Sequence, residues 1–162
     1  MRAKECAKIV YENYPNIGVF ISVGLAGALL DQLKIGDIVI GNLLINKEQD
    51  KYETIKYANK IILPITENNN ITYGPILCSD EFIHDTKKKQ YLFNEYGALC
   101  VEMESKGIAD FAKEKDSFFY VIKSISDHAN EEATRFFIRS FSTACKSLAR
   151  YFESIIDNLL RE

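Results

Sequence analysis

Phe118-Phe119-Tyr120-Val121-Ile122-Lys123-Ser124-Ile125-Ser126-Asp127 is the stretch whose reading decides the architecture. From Phe118 to Ile125 it is the most apolar run of the chain, as expected of a strand buried on both faces by covering helices. It closes on Ser126-Asp127, which sets a carboxylate at the mouth of a buried element. Charge is expensive there unless it has a partner or a task. Upstream, Val101-Glu102-Met103-Glu104-Ser105 raises the same question twice. At i, i+2 the two glutamates would share one side of an extended segment. In a helix they would lie about 200° apart, and only one could face inward.

Outward from these stretches, apolar spacing sets the remaining elements. Ala3, Cys6, Ala7, Val10 and Tyr14 recur at helical intervals, so residues 2–14 read as a helix ended by Pro15-Asn16. Ile17 to Val23 reads as a buried strand stopped by glycine, and Ile35 to Ile45 as a second. Tyr52 to Leu63 has helical character, Pro64 interrupts it, and Asn68-Asn69-Asn70 reads as a loop. Ile71 to Ser79 is a third strand. Asp85 to Tyr96 reads as a helix, with Asp85 or Thr86 as its cap and Gly97 just past its end. Ala98 to Val101 is a short strand, and a helix follows from about Met103 to Lys113. A last helix runs from Glu131 to about Leu160, its buried face marked by Phe137, Phe141, Ala144, Leu148, Phe152, Ile155 and Leu159.

Composition narrows the class. With 162 residues, 47% hydrophobic and 27% charged, the chain fits one globular domain able to bury a core unaided. A net charge of −3 gives no general attraction to nucleic acid or anionic membrane. No apolar run approaches the roughly 18 residues of a membrane span, and the amino end shows no signal-peptide core. Cys6, Cys78, Cys100 and Cys145 are scattered without a C-x-x-C pair, as in a reduced, cytoplasmic protein. With two histidines, His84 and His128, no metal site is expected. No repeat or linker divides the chain, so residues 1–162 form a single domain.

Strands alternating with helices imply a largely parallel sheet covered on both faces, with ligands at the carboxyl ends of the strands. Gly24-Leu25-Ala26-Gly27 follows the first strand and Asp80-Glu81-Phe82-Ile83 the third. Glu102-Met103-Glu104 follows the fourth, and Ser126-Asp127 the last. Most of the unusual polar clusters therefore fall on one rim. Each also has a bland reading. Asp127 could cap the segment before the last helix, Glu104 could answer a helix dipole, and Phe82 could be core. Lys87-Lys88-Lys89 is most simply a solvated helix face, and Gly24 and Gly27 a tight strand-to-helix turn.

Gly24-Leu25-Ala26-Gly27, Ile35-Gly36-Asp37-Ile38-Val39, Ser79-Asp80-Glu81-Phe82-Ile83, Tyr96-Gly97-Ala98, Val101-Glu102-Met103-Glu104 and Ile125-Ser126-Asp127, in this order, resemble the purine nucleoside phosphorylase and methylthioadenosine/S-adenosylhomocysteine nucleosidase superfamily. The resemblance implies a three-layer α/β/α sandwich with a central mostly parallel or mixed sheet. It implies cleavage of the N-glycosidic bond of a purine nucleoside, with no cofactor, and with inorganic phosphate as co-substrate if the enzyme is a phosphorylase. In that scheme Asp127 protonates or hydrogen-bonds N7 of the departing purine and Ser126 orients it. Phe82 stacks on the base and the Ile83 backbone reads its edge. Glu104 holds the ribose hydroxyls, Met103 packs on the sugar, Glu102 lies nearby, and Gly24 and Ala26 complete the substrate contacts.

The sequence departs from the family pattern in several places. Members open with a strand and loop that supply phosphate-binding groups or a water-activating glutamate, and here Met1 stands just before the first helix. An amino-terminally truncated homologue is therefore expected. Lacking its first strands, it should have open sheet edges and form homo-oligomers. Leu25 stands where many members use serine or threonine, and Lys123 where the nucleosidases have arginine. Residues 41–73 are shorter than in many members. The alternative expectation is a catalytically inactive nucleoside-binding or oligomeric homologue.

Overall fold

A computed structural model describes residues 2–48, 51–55 and 70–159. The order is α1 (Arg2–Asn13), β1 (Val19–Ala28), β2 (Ile38–Glu48), β3 (Lys51–Ile55), β4 (Ile71–Cys78), α2 (Thr86–Tyr96), β5 (Cys100–Glu102), α3 (Ser105–Glu114), β6 (Phe118–Asp127) and α4 (Ala133–Leu159). The six strands make one mixed sheet in the order β3-β2-β4-β5-β1-β6, and β2 also pairs with β6. Pairs β1–β6, β2–β4 and β4–β5 are parallel, while β1–β5, β2–β3 and β2–β6 are antiparallel. The sheet is thus less parallel than the alternation of elements suggests. Because β2 joins β4 along one edge and β6 at Ile38–Ile40, strands β2, β4, β5, β1 and β6 close on themselves.

Helices cover the sheet from two sides. Phe20, Val39, Ile76, Val121 and Ile125 pack with Ala7 of α1 and Ala109, Phe111 and Ala112 of α3. On the other side Ile38, Ile40 and Ile122 meet Leu148, Tyr151 and Ile155 of α4. Nine of the ten residues of β6 are buried, which is why that strand shows no polar alternation. A third cluster sets Leu29, Ile83, Leu92, Val101 and Ala129 beneath the loops at one end of the sheet.

Most element boundaries follow local chemistry. Asp85 is extended and accepts a hydrogen bond from the Lys88 amide, and Gly97, left-handed at φ 64°, donates its amide to the Phe93 carbonyl. Four expectations need correction. β1 does not stop at Gly24 but runs on to Ala28. Residues 51–55 are a strand rather than helix, because they pair with β2 from Leu44 to Glu48; residues 56–69, with Pro64, Asn68 and Asn69, lie outside the described residues. Phe141 is exposed, and the fully buried Tyr151 holds the helix-to-sheet contact instead. Lys89 is buried and ion-paired with Asp31 at 2.7 Å rather than solvated.

Candidate active site

The glycines of Gly24-Leu25-Ala26-Gly27 lie in mid-strand, and their purpose is clearance. In register, Gly24 stands opposite Lys123 and Gly27 opposite Asp127. A Cβ on Gly27 would lie 2.8 Å from Asp127 Oδ1, and one on Gly24 would lie 3.3 Å from Lys123 Nζ. The ladder slips by one residue between Ala26 and Gly27, so that Asp127 takes the place opposite Gly27 that Ser126 would otherwise hold. Bulges of this kind re-aim side chains next to functional sites. We expect Gly27→Ala to cost about 1–3 kcal/mol through forced displacement of the carboxyl. Gly18→Ala, where a Cβ meets nothing within 4 Å, is the control in denaturant unfolding.

Asp127 is 1% exposed. Its Oδ1 accepts the Ala129 amide at 2.9 Å and its Oδ2 accepts the Ser126 hydroxyl at 2.9 Å. Desolvation outweighs these bonds and raises its pKa above the usual carboxylate range. Ala129, with φ 49°, bends the chain so that its amide points back at the carboxylate.

The two glutamates of Val101-Glu102-Met103-Glu104 diverge. Glu102 ends β5 and is 3% exposed, whereas Glu104 turns into α3 with its side chain 61% exposed. The Glu102 carboxylate takes the amides of Glu104 and Ser105, the Ser105 hydroxyl at 2.7 Å and Lys123 Nζ at 2.8 Å. The Cys78 thiol is a further partner. Burial pushes its pKa up, but Lys123 and these donors outweigh burial and hold it low. Glu102 is thereby spent inside the protein: it caps α3 and neutralises a buried lysine. Lys123 Nζ also approaches Glu104 Oε2 at 3.8 Å.

Gly27, Glu81, Phe82, Ile83, Val101, Glu102, Met103 and Asp127 line one small cleft. Phe82 and Met103 are 41% and 46% exposed, so Phe82 is a wall of the cleft and not core. Ile83 is buried behind it. Glu104 fronts a groove of about 1170 Å³ between α1 and α3, and Met103 borders both spaces. Ser126, whose hydroxyl also lies 3.3 Å from the Ala26 carbonyl, supports Asp127 from behind. Gly24 and Ala26 do not line the cleft. The residues missed by spacing alone are Ser22, Ser105 and Ala129, each a hydrogen-bonding support. The lysine inside an otherwise apolar strand was the available sign that a buried carboxylate must face it.

A model of the phosphorylase superfamily matches residues 6–157. The chain belongs to that superfamily. Phosphorylase-superfamily relatives include aminodeoxyfutalosine nucleosidase of Helicobacter pylori strain ATCC 700392 / 26695, 27% identical over 154 residues, covering 84% of this chain and 67% of the relative. Another is the 5'-methylthioadenosine/S-adenosylhomocysteine nucleosidase of Geobacillus sp. strain WCH70, 28% identical, covering 86% of this chain and 68% of the relative. The chain thus spans about two thirds of their length. The fold is that of the Helicobacter pylori 5'-methylthioadenosine/S-adenosylhomocysteine nucleosidase solved with butyl-thio-DADMe-Immucillin-A, at TM-score 0.81 and 20% identity over 96% of this chain and 75% of that one. The Neisseria meningitidis nucleosidase solved with methylthio-immucillin-A also superposes at TM-score 0.81, with 20% identity, over 96% of this chain and 76% of that one.

Proposed function

We propose that this phosphorylase-superfamily chain binds the base and ribose of a purine nucleoside and hydrolyses its N-glycosidic bond. One observation carries the reading: a buried carboxyl with a raised pKa at the floor of a cleft walled by the exposed apolar side chains of Phe82 and Met103. A purine leaves poorly as an anion, and a carboxyl still protonated above the usual range can donate to N7 as the bond breaks. Phe82 offers a face to the base and the Ile83 backbone an edge. Glu104 has an exposed carboxylate for the ribose hydroxyls, and its charge favours the oxocarbenium-like sugar.

The lining of the cleft favours water over phosphate. Among the described residues its lining side chains include Glu81, Glu102 and Asp127 and no cation; Glu81 is ion-paired with Lys88 and Glu102 with Lys123. Among the described residues the cleft thus offers a phosphate dianion no cation free of a carboxylate partner, and Leu25 offers it no hydroxyl. A second reading, nucleoside binding without turnover, is favoured by the commitment of Glu102 to internal donors, which leaves it unavailable to activate water. Self-association remains part of the proposal: β1 pairs with β5 only at Gly27 and Ala28, and its Val19, Ile21 and Val23 are exposed.

Release of base from adenosine, inosine and 5'-methylthioadenosine, with and without phosphate, tests the reading. Turnover independent of phosphate is the expected result, and phosphate-dependent formation of ribose 1-phosphate would contradict it. The rate should fall as pH rises through the raised Asp127 pKa, since only the protonated form donates. Stability carries the matching signs. The Asp127 contribution is present at low pH and lost as pH rises through its folded pKa. That of Glu102 is present above the ordinary glutamate range and lost as pH falls through its lowered one.

A further inference from the structure

The cleft above Asp127 holds only about 30 Å³, the room of a single water. Ligand sites run from roughly 300 Å³ upward, so a base seated against Asp127 needs a wall to give, even with its ribose in the groove that Glu104 fronts. Gly27, Val101, Glu102 and Asp127 are fixed in strands. The walls outside the strands are Met103 and the loop of residues 79–85 between β4 and α2, which carries Phe82 and the buried Ile83. At its root the Ser79 amide is anchored to the Glu102 carbonyl at 2.8 Å. At its far end the carboxylate of Glu131 takes both the amide of Thr86 at 3.1 Å and its hydroxyl at 2.6 Å.

Glu131 follows the bend at Ala129 that holds Asp127, so this pair of bonds joins the loop facing the base to the turn facing the acid. Asp85 already serves the Lys88 amide, and Glu131 supplies the acceptor for the first turn of α2 from the segment that follows Asp127. We propose that Glu131 and Thr86 form a latch between the base-facing loop and the Asp127 turn, and that purine nucleoside enters and leaves when it opens. The proposal rests on the purine-nucleoside reading for its ligand but not for its mechanics. The hydroxyl and amide of Thr86 hold the Glu131 carboxyl down at about 2, so the latch stays charged at neutral pH. It is therefore a gate rather than a pH switch.

The test compares the wild-type chain with Glu131→Gln and Thr86→Val. Glu132→Gln is the control, a neighbouring carboxylate whose ion pair is with Arg135 at 3.6 Å. Stopped-flow binding of a fluorescent, non-cleavable purine C-nucleoside should show association and dissociation both about fivefold faster in the two latch variants. Kd should stay within about twofold and Glu132→Gln should behave as wild type, because free and bound states both keep the latch. A loss of affinity through dissociation alone, or no change in either rate, would overturn the latch. If wild type fails to bind the probe, the purine reading fails, and amide hydrogen exchange then decides the latch. Faster exchange in both 80–86 and 128–131 upon Glu131→Gln supports it, and a change confined to one of the two segments rejects it.

Discussion

Asp127→Asn should reduce glycosidic turnover by about 10²–10⁴-fold, the usual worth of a positioned general acid. Nucleoside affinity should change by less than about tenfold. The substitution suits this site because the local bonds survive it. Asn Oδ1 can still accept the Ala129 amide, and the Ser126 hydroxyl can turn toward the Ala26 carbonyl and accept from the new amide nitrogen. Only the transferable proton is lost. The alkaline fall of the rate should vanish with it. If the variant keeps more than about a third of wild-type turnover at neutral pH, Asp127 is not the acid.

Lys123→Met should destabilise the fold by about 3–5 kcal/mol, measured by urea unfolding, because it leaves the Glu102 charge buried without its cation. Both side chains are at most 1% exposed, so solvent cannot replace the lysine. Lys123→Arg should recover much of the loss. Lys123→Met combined with Glu102→Gln should be more stable than Lys123→Met alone, because the stranded charge is removed. A cost below about 1 kcal/mol for Lys123→Met would show that the amides of Glu104 and Ser105 hold Glu102 unaided.

The order of helices and strands was legible because period and punctuation agree. Asp85 and Gly97 bracket α2 as their chemistry requires, and the apolar run from Phe118 is the central buried strand. The candidate site was legible as a set of residues, since Phe82, Ile83, Glu102, Met103 and Asp127 do converge on one cleft. Pairwise geometry was not legible. Gly24 and Gly27 look like turn glycines until the neighbouring strand shows that they make room for Lys123 and Asp127. Whether Glu102 and Glu104 share a side depended on where β5 ends, and one residue of that boundary sends the first inward and the second out. Lys89 looked solvated in a run of three lysines because its partner, Asp31, is distant in sequence. Long-range partners of this kind leave no periodic trace.

A crystal structure of the chain with a non-cleavable purine C-nucleoside tests the central claim most directly. The account places the base against Phe82 with the position equivalent to N7 within hydrogen-bonding distance of Asp127, and the ribose hydroxyls toward Glu104. A nucleoside bound elsewhere, with Asp127 still sealed beneath an undisturbed Phe82 and Met103, would contradict it.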